Sequence, residues 1–188
     1  MIQETIISTI NAAGQPHIAP MGVHVEGNRF VILPFKPSTT LNNIVETGVA
    51  VINCSDDVRI FAGCLTGRRD WPLKPAEKIK GYYLADTLAH TEVELEKIED
   101  DAVRTRLICK PVHEVNHKPF QGFNRAQYSV LEAAILISRL NRLPWNRIQS
   151  EIDYLRIGLE KCAGDRELEA WDWLMEAIDS YKQGAKVS

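Results

Sequence analysis

Residues 36–40 carry a group of side chains that suits the binding of an anion. The run joins one ammonium group and one proline to three hydroxyl residues: Lys36, Pro37, Ser38, Thr39 and Thr40. It comes directly before a segment with helical spacing, so hydroxyls, unpaired backbone N–H groups and the positive end of a helix dipole would converge there. That combination suits a phosphate group. Because Ser and Thr begin many helices that bind nothing, a plain N-cap remains an open alternative.

A proline and a glycine interrupt a predicted strand at residues 19–22, which read Ala-Pro-Met-Gly. Both residue types are unfavourable inside a strand and are tolerated at an edge, at a bulge or where another molecule approaches the backbone. A ligand lying flat against Met21 and Gly22 would account for them. A bulge that bends the strand around a barrel would account for them equally, and the residues alone favour the bulge.

The run His113-Glu114-Val115-Asn116-His117 fits the spacing of zinc peptidases. That chemistry needs a helix, which places both histidines on one face beside the glutamate. Pro111 and Pro119 bracket the run, and the residues before it have the pattern of a strand. A third ligand would have to come from Glu132 or Glu151. We therefore expect no metal site here and keep the zinc peptidase only as a minor alternative.

Two further groups are ambiguous. Arg68 and Arg69 precede Asp70 and Trp71, an arrangement that could recognise an anion or form a solvated, ion-paired loop. His24 follows Met21 and Gly22 closely and is the best candidate for a general acid, although a lone strand histidine more often has no chemical role.

The elements that must position these residues divide the chain in two. The residue pattern predicts strands over residues 4–11, 17–25, 29–33, 49–53, 88–98 and 104–115, although the alternation over 88–98 is imperfect. A short helix is predicted over 41–47 and ends at Gly48. Residues 54–66 give a mixed pattern, and 67–80 are expected to form a polar loop. Helical spacing dominates the last third, where Asn124 and Gln127 resemble a capping box and Ile148, Ile152, Leu155 and Leu159 share one face. A third predicted helix carries Leu168, Trp171, Leu174, Met175 and Ile178.

This pattern predicts an α+β protein with two domains, a mostly antiparallel β domain over residues 1–120 and a helical subdomain over 121–188. The net charge of −3 argues against nucleic-acid binding. The N-terminal residues lack the pattern of a signal peptide, and no stretch reaches the ~20 apolar residues of a membrane span. The four cysteines form no CxxC pair, so we expect a reducing cytoplasm and no structural zinc.

Taken in order, several motifs resemble domain-of-unknown-function family 447. Residues 4–9, residues 19–23 and residues 37–43 look like the N-terminal part of that family. Its later motifs are matched by three segments: Phe123-Asn124-Arg125-Ala126, Leu131-Glu132-Ala133-Ala134-Ile135-Leu136 and Ser138-Arg139-Leu140. The likeness covers nearly the whole chain.

The resemblance implies a flavin-reductase-like split β-barrel of Greek-key type that binds FMN at a homodimer interface. By that analogy Met21 and Gly22 would pass their backbone along the isoalloxazine ring. The phosphate would be held by Ser38, Thr39 and Thr40 with Lys36 or Asn43. Asn124 and Arg125 would lie near the junction of barrel and helices and reach the cofactor.

For function, we expect an FMN-dependent oxidoreductase whose substrate and electron donor or acceptor are unknown, because the flavin carries the chemistry and the protein orients it. A different class remains open, in which the protein binds or carries a flavin or deazaflavin without turnover. Reduction of the bound flavin by a reduced nicotinamide separates these two.

Overall fold

The structure, a computed structural model, describes residues 1–100 and 103–184. The chain forms two compact units. The first contains Met1–Ser55 and Trp71–Phe120, and the second contains Asp56–Asp70 and Gln121–Ser188. The chain enters the second unit for the last time after Phe120, which is where the sequence analysis places the domain boundary. Residues 56–70, which the sequence placed in the β domain, lie in the helical unit.

The first unit is built from strands and one short helix. Its elements are β1 (Ile2–Ile10), β2 (Pro16–Glu26), β3 (Arg29–Ile32), α1 (Thr39–Thr47), β4 (Val49–Cys54), β5 (Leu73–Pro75), β6 (Tyr82–Leu84), β7 (Ala89–Glu99) and β8 (Arg106–Asn116). Six strands close into a barrel in the order β1-β2-β3-β8-β7-β4, and every pairing is antiparallel. Because β4 returns to lie beside β1 after the β1-β2-β3 meander, the topology contains a Greek key, as expected.

Apolar residues from all sides fill the inside of the barrel. Ile7, Val23, Ile32, Val93 and Leu107 are completely buried there. The imperfect alternation of residues 88–98 has a structural cause, since the β7–β8 pairing shifts register twice, after Glu92 and after Leu95. A register shift moves the following side chains to the other face and so breaks a period of two.

The segment before β7, residues 67–88, differs from the expected loop. Residues 67–80 contain β5, which pairs with β6 in a separate two-stranded sheet. The outer side of the barrel anchors this sheet through polar groups. Ser8 Oγ donates to the Tyr82 carbonyl at 2.6 Å, and the buried Asn53 accepts from the Leu84 N–H at 2.8 Å. Such contacts are invisible in a local pattern, so the sequence suggested a simple loop.

The second unit is helical and contains α2 (Val58–Leu65), α3 (Arg125–Ile137), α4 (Trp145–Cys162) and α5 (Asp165–Lys182). Helix α3 contacts all three others, which explains its nearly continuous apolar sequence. Helix α2, missed in the mixed pattern of residues 54–66, buries Val58 and Ala62 in the same core. The predicted apolar face of α4 is confirmed, whereas Leu168 at the start of α5 is 46% exposed.

Asn124 caps α3, as its position predicted, by accepting the Ala126 N–H at 2.8 Å. The second half of the expected capping box has another role, because the Gln127 amide donates to Glu167 on α5. None of the described helices is both long enough and apolar enough to cross a membrane.

Candidate functional site

The start of α1 has the geometry of an anion site. Ser38 is the N-cap, and its Oγ accepts the Leu41 N–H at 3.2 Å. The N–H groups of Thr39 and Thr40 open the helix, and such groups have no partner within a helix. No acidic residue lies in the first turn. An anion at this helix end would meet the hydroxyls of Ser38 and Thr39, the helix N–H groups and the helix dipole. No carboxylate in that turn would repel it.

Two cations lie beside the segment that leads into this helix. The Lys36 ammonium pairs with the Asp100 carboxylate at the end of β7. The Arg104 guanidinium stacks over the Phe35 ring at 3.9 Å, and Phe35 also forms an isolated bridge with Arg104. Sequence reasoning missed Arg104, which lies 68 residues from Lys36 in the chain. Only the pairing of distant segments could have revealed it.

Thr40 and Asn43 are buried on the inner side of α1. Asn43 donates from Nδ2 to Thr9 Oγ1 at 2.9 Å, so its side chain is turned toward β1. This contact fastens α1 to the barrel. Asn43 thus positions the helix, whereas Ser38 and Thr39 present its N-terminal end.

An open groove of about 550 Å³ runs beside α1. Its lining combines the apolar side chains of Leu41, Val45 and Ile98 with five polar residues: Lys36, Asn42, Glu46, Asp100 and Thr105. Val45 and Ile98 are about half exposed. A groove with both apolar and polar lining suits a ligand that has an organic ring part and a charged group.

Pro20, Met21 and Gly22 lie in a part of β2 that pairs with β1 but not with β3. Strand β3 pairs with β2 only from Val23 to Glu26, while β1 pairs with it from Pro16 to His24. Pro20 is therefore tolerated, because a proline is compatible with an edge. The Met21 side chain packs against the barrel core, and a Cβ atom on Gly22 would come within 3.0 Å of Ile2 Cγ2. The close approach of Ile2 therefore explains the glycine at position 22 without a ligand.

Asn124 and Arg125 belong to the helical unit. Besides capping α3, Asn124 donates to the Cys162 carbonyl at 3.2 Å, and Arg125 donates to Cys162 Sγ at 3.3 Å. A cavity of about 400 Å³ opens beside these residues, lined also by Asp56 and Phe123. Both side chains join α3 to the end of α4.

The Arg68 guanidinium has partners in the helical unit. It stacks over the Trp173 ring at 4.6 Å and pairs with Glu176 at 3.3 Å. This favours the ion-paired interpretation of the Arg68-Arg69-Asp70-Trp71 run over the anion-binding one.

The zinc-peptidase alternative is wrong. His113 lies within β8 and His117 follows it, so the helix that the motif needs is absent. Within residues 1–100 and 103–184, no three His, Cys, Asp or Glu side chains are arranged to hold a metal ion. His24 lies on β2 opposite Ile2 and Val31 and is half-buried, with no geometric sign of a general acid.

The donor set at α1 fits a phosphate monoester. A dianion of that kind accepts several hydrogen bonds, and here hydroxyl groups, helix N–H groups and two nearby cations supply donors and charge. The carboxylate of Asp100 already neutralises Lys36, so a bound phosphate would share this ammonium with it.

Comparison with known proteins agrees with this architecture. The model of the N-terminal domain of the protein of unknown function DUF447 matches residues 3–118, and the model of DUF447 itself matches residues 124–176. The chain belongs to the DUF447 family. No curated protein matches it.

Solved structures place this DUF447 protein among split-barrel folds. An FMN-bound DUF447 protein from Methanosarcina mazei has a TM-score of 0.82 at 23% identity over 94% of each chain. A flavoredoxin from Methanosarcina acetivorans gives a TM-score of 0.55 at 16% identity, covering 64% of this chain and 73% of that one. The 2-nitrobenzoate 2-nitroreductase of Pseudomonas fluorescens gives 0.52 at 23% identity, with coverages of 61% and 64%. The expected flavin-reductase-like split barrel is thus confirmed.

Proposed function

We propose that this DUF447 protein binds FMN, with the phosphate at the start of α1, and transfers electrons or hydride between the flavin and a partner molecule. The observation that carries the proposal is the likeness, over 94% of both chains, to a family member whose structure is FMN-bound. The phosphate-compatible donor set of α1 supports it independently, because it follows from the geometry of this chain alone.

Within this proposal, each candidate residue has a physical role. Ser38 and Thr39 would donate hydroxyl and backbone hydrogen bonds to the phosphate, and Thr40 would donate its backbone N–H. Lys36 with Arg104 would balance the charge of the phosphate. Met21 and Gly22 would border the ring system along the unpaired edge of β2. Asn43 would hold the helix in place, and the family resemblance adds Asn124 and Arg125 as cofactor contacts. When bound, FMN supplies the redox chemistry, and the chain supplies binding and orientation.

We further propose that the working form is a homodimer in the cytoplasm. Large apolar side chains remain exposed in the barrel unit, among them Ile2 at 56% and Phe120 at 60%. A dimer that covered such side chains would remove apolar surface from water, which favours association. Free thiols at all four cysteines agree with a reducing compartment. Light scattering of the FMN-loaded protein tests the dimer, and a monomer mass would exclude it.

The central experiment is the visible spectrum of the purified protein, with the released cofactor identified by mass. Stoichiometric FMN is expected. A colourless protein that also fails to take up added FMN would refute the proposal.

Anaerobic addition of NADH or NADPH then tests electron transfer. Rapid bleaching of the flavin band would support an oxidoreductase. A flavin that binds tightly but is reduced by neither nicotinamide would favour the carrier alternative, unless a protein electron donor reduces it.

A further inference from the structure

A group of polar rings lies on the outer side of the barrel, away from α1. We call it the histidine cluster and define it by Tyr83, His90, Glu92, His113 and His117. His90 and Glu92 alternate with the core residue Val93 along β7, so they face outward, yet both are fully buried. The segment of residues 77–83, which leads into β6, covers them. A buried carboxylate beside buried imidazoles is costly unless each polar atom has a partner.

Glu92 is held as an anion by backbone donors. Its carboxylate accepts the N–H groups of Glu77, Lys78 and Ile79 at 2.7, 2.8 and 3.0 Å. Burial alone would raise the pKa of Glu92, but these three hydrogen bonds outweigh it and hold the pKa below its usual value. The carboxylate therefore remains an acceptor only.

This fixes the protonation pattern of the two rings that follow. His90 Nε2 lies 3.4 Å from Glu92 Oε1, and because an ionised carboxylate only accepts, Nε2 must carry the proton. In a neutral ring His90 Nδ1 is then an acceptor. His117 Nε2 lies 2.8 Å from that atom, so it must be the donor. Both neutral rings are assigned the Nε2–H form by this hydrogen-bond logic.

Stacking shields this chain of hydrogen bonds from water. The Tyr83 ring lies nearly parallel to His90 with centroids 4.2 Å apart, and it also stacks on His117 at 5.1 Å. His117 is the exposed member, but its backbone is fixed, because its N–H donates to the Leu88 carbonyl at 2.8 Å. The remaining nitrogen of His117, Nδ1, is left as an acceptor.

The other titratable neighbours make a second charge unfavourable. His113 lies edge-on to His90 at 6.3 Å, and its buried Nε2 is 3.3 Å from Glu77 Oε2 without hydrogen-bond geometry. Burial lowers the pKa of His90, and the Glu92 carboxylate opposes that shift only in part. If both His90 and His117 were charged, two N–H donors would face each other at 2.8 Å.

We propose that Glu92, His90 and His117 form a proton relay that takes up one proton and exchanges it through His117. The proton enters at His117 Nδ1, and the ring then donates from Nε2 to His90 with the hydrogen bond intact. Transfer of that Nε2 proton to His90 Nδ1 would place the positive charge next to Glu92. The ligand of this site is the proton itself, and the proposal does not depend on flavin binding.

The test is ¹⁵N NMR of the histidine rings in the full chain, followed from about pH 8 to pH 5, the range in which histidine titrates. We expect His90 in the Nε2–H form at the alkaline end. On acidification the His90 and His117 signals should move together with one midpoint, as coupled groups do, and the pair should take up one proton. An Nδ1–H form of His90, or two independent midpoints with two protons bound, would overturn the relay.

Variants separate the relay from ordinary surface titration. His90→Phe keeps a ring against Tyr83 but removes both nitrogens, so His117 should lose its preference for the Nε2–H form. His24→Gln, at a strand histidine outside the cluster, should leave the coupled midpoint unchanged. If His90→Phe fails to fold, the tautomer of His90 in the unmodified protein still decides the question.

Discussion

The start of α1 and the histidine cluster both gather polar groups on the barrel unit, but they do so in opposite ways. The α1 site comes from five consecutive residues, and all of them except the buried Thr40 lie at least partly at the surface. The histidine cluster comes from β6, β7, β8 and the loop before β6, and its carboxylate is completely buried. A site made by a helix end can lose one hydroxyl at small cost, whereas a buried ion without one of its partners leaves several groups unsatisfied.

The largest expected effect follows from that difference. Replacing Glu92 with Gln removes the charge that three N–H groups share and turns an amide NH₂ toward donors. We expect a loss of about 3 kcal/mol in the free energy of unfolding, measured by urea denaturation. Glu94→Gln, at an exposed ion pair with Lys110, is the matched control and should cost less than about 1 kcal/mol. Equal losses in the two variants would show that the Glu92 anchor contributes little.

The phosphate contacts of α1 should have a smaller effect, and on binding rather than on folding. Thr39→Val with Thr40→Val should weaken FMN binding roughly tenfold, about 1.4 kcal/mol, while the affinity for riboflavin stays unchanged. Thr47→Val removes a hydroxyl at the other end of the same helix, where Thr47 donates to the Asn43 carbonyl, and should alter neither affinity. An equal loss for FMN and riboflavin would place the phosphate elsewhere.

Ser38 allows the capping and binding roles of this helix end to be separated. Ser38→Ala removes the acceptor for the Leu41 N–H and should lower the free energy of unfolding by about 1 kcal/mol in thermal denaturation. Ser38→Asp retains a capping oxygen and should leave stability intact, but its charge should repel the phosphate and weaken FMN binding. If Ser38→Asp binds FMN as well as the unmodified protein, the cap residue does not contact the phosphate.

The smallest effect concerns pH. The pKa of His90 is lower in the folded than in the unfolded chain, so the unfolded chain binds more protons in this window. The contribution of neutral His90 to the free energy of unfolding is therefore fully present above about pH 6.5, the ordinary pKa of histidine. It is lost as the pH falls through the lower pKa that His90 has in the folded chain. His90→Phe should show a flatter decline between about pH 7 and pH 5 in the same denaturation experiment. A parallel decline in both proteins would assign the pH dependence to other groups.

Helices α1, α3, α4 and α5 and most strands were predictable because their determinants are local, whereas α2 was missed. The spacing of four, three and four residues between Ile148, Ile152, Leu155 and Leu159 predicted the buried face of α4. Asn124 predicted the start of α3, and Gly48 predicted the end of α1, where it adopts the left-handed conformation with φ of 74°. The run from Lys36 to Thr40 predicted an anion site for the same reason, since a helix end needs only neighbouring residues.

Tertiary structure alone decided the rest. The assignment of residues 56–70 to the helical unit depends on burial of Val58 and Ala62 against helices more than 60 residues away. Arg104 reaches Phe35, and His90 meets His117, only because strands distant in sequence pair in register. Because residues 106–116 pair as a strand, His113 and His117 do not lie on a helix as a zinc peptidase requires. The same pairing places His117 beside the buried imidazole of His90. A sequence states which groups are available, but the partner, the burial and the protonation state of each group follow from segments that meet only in the folded chain.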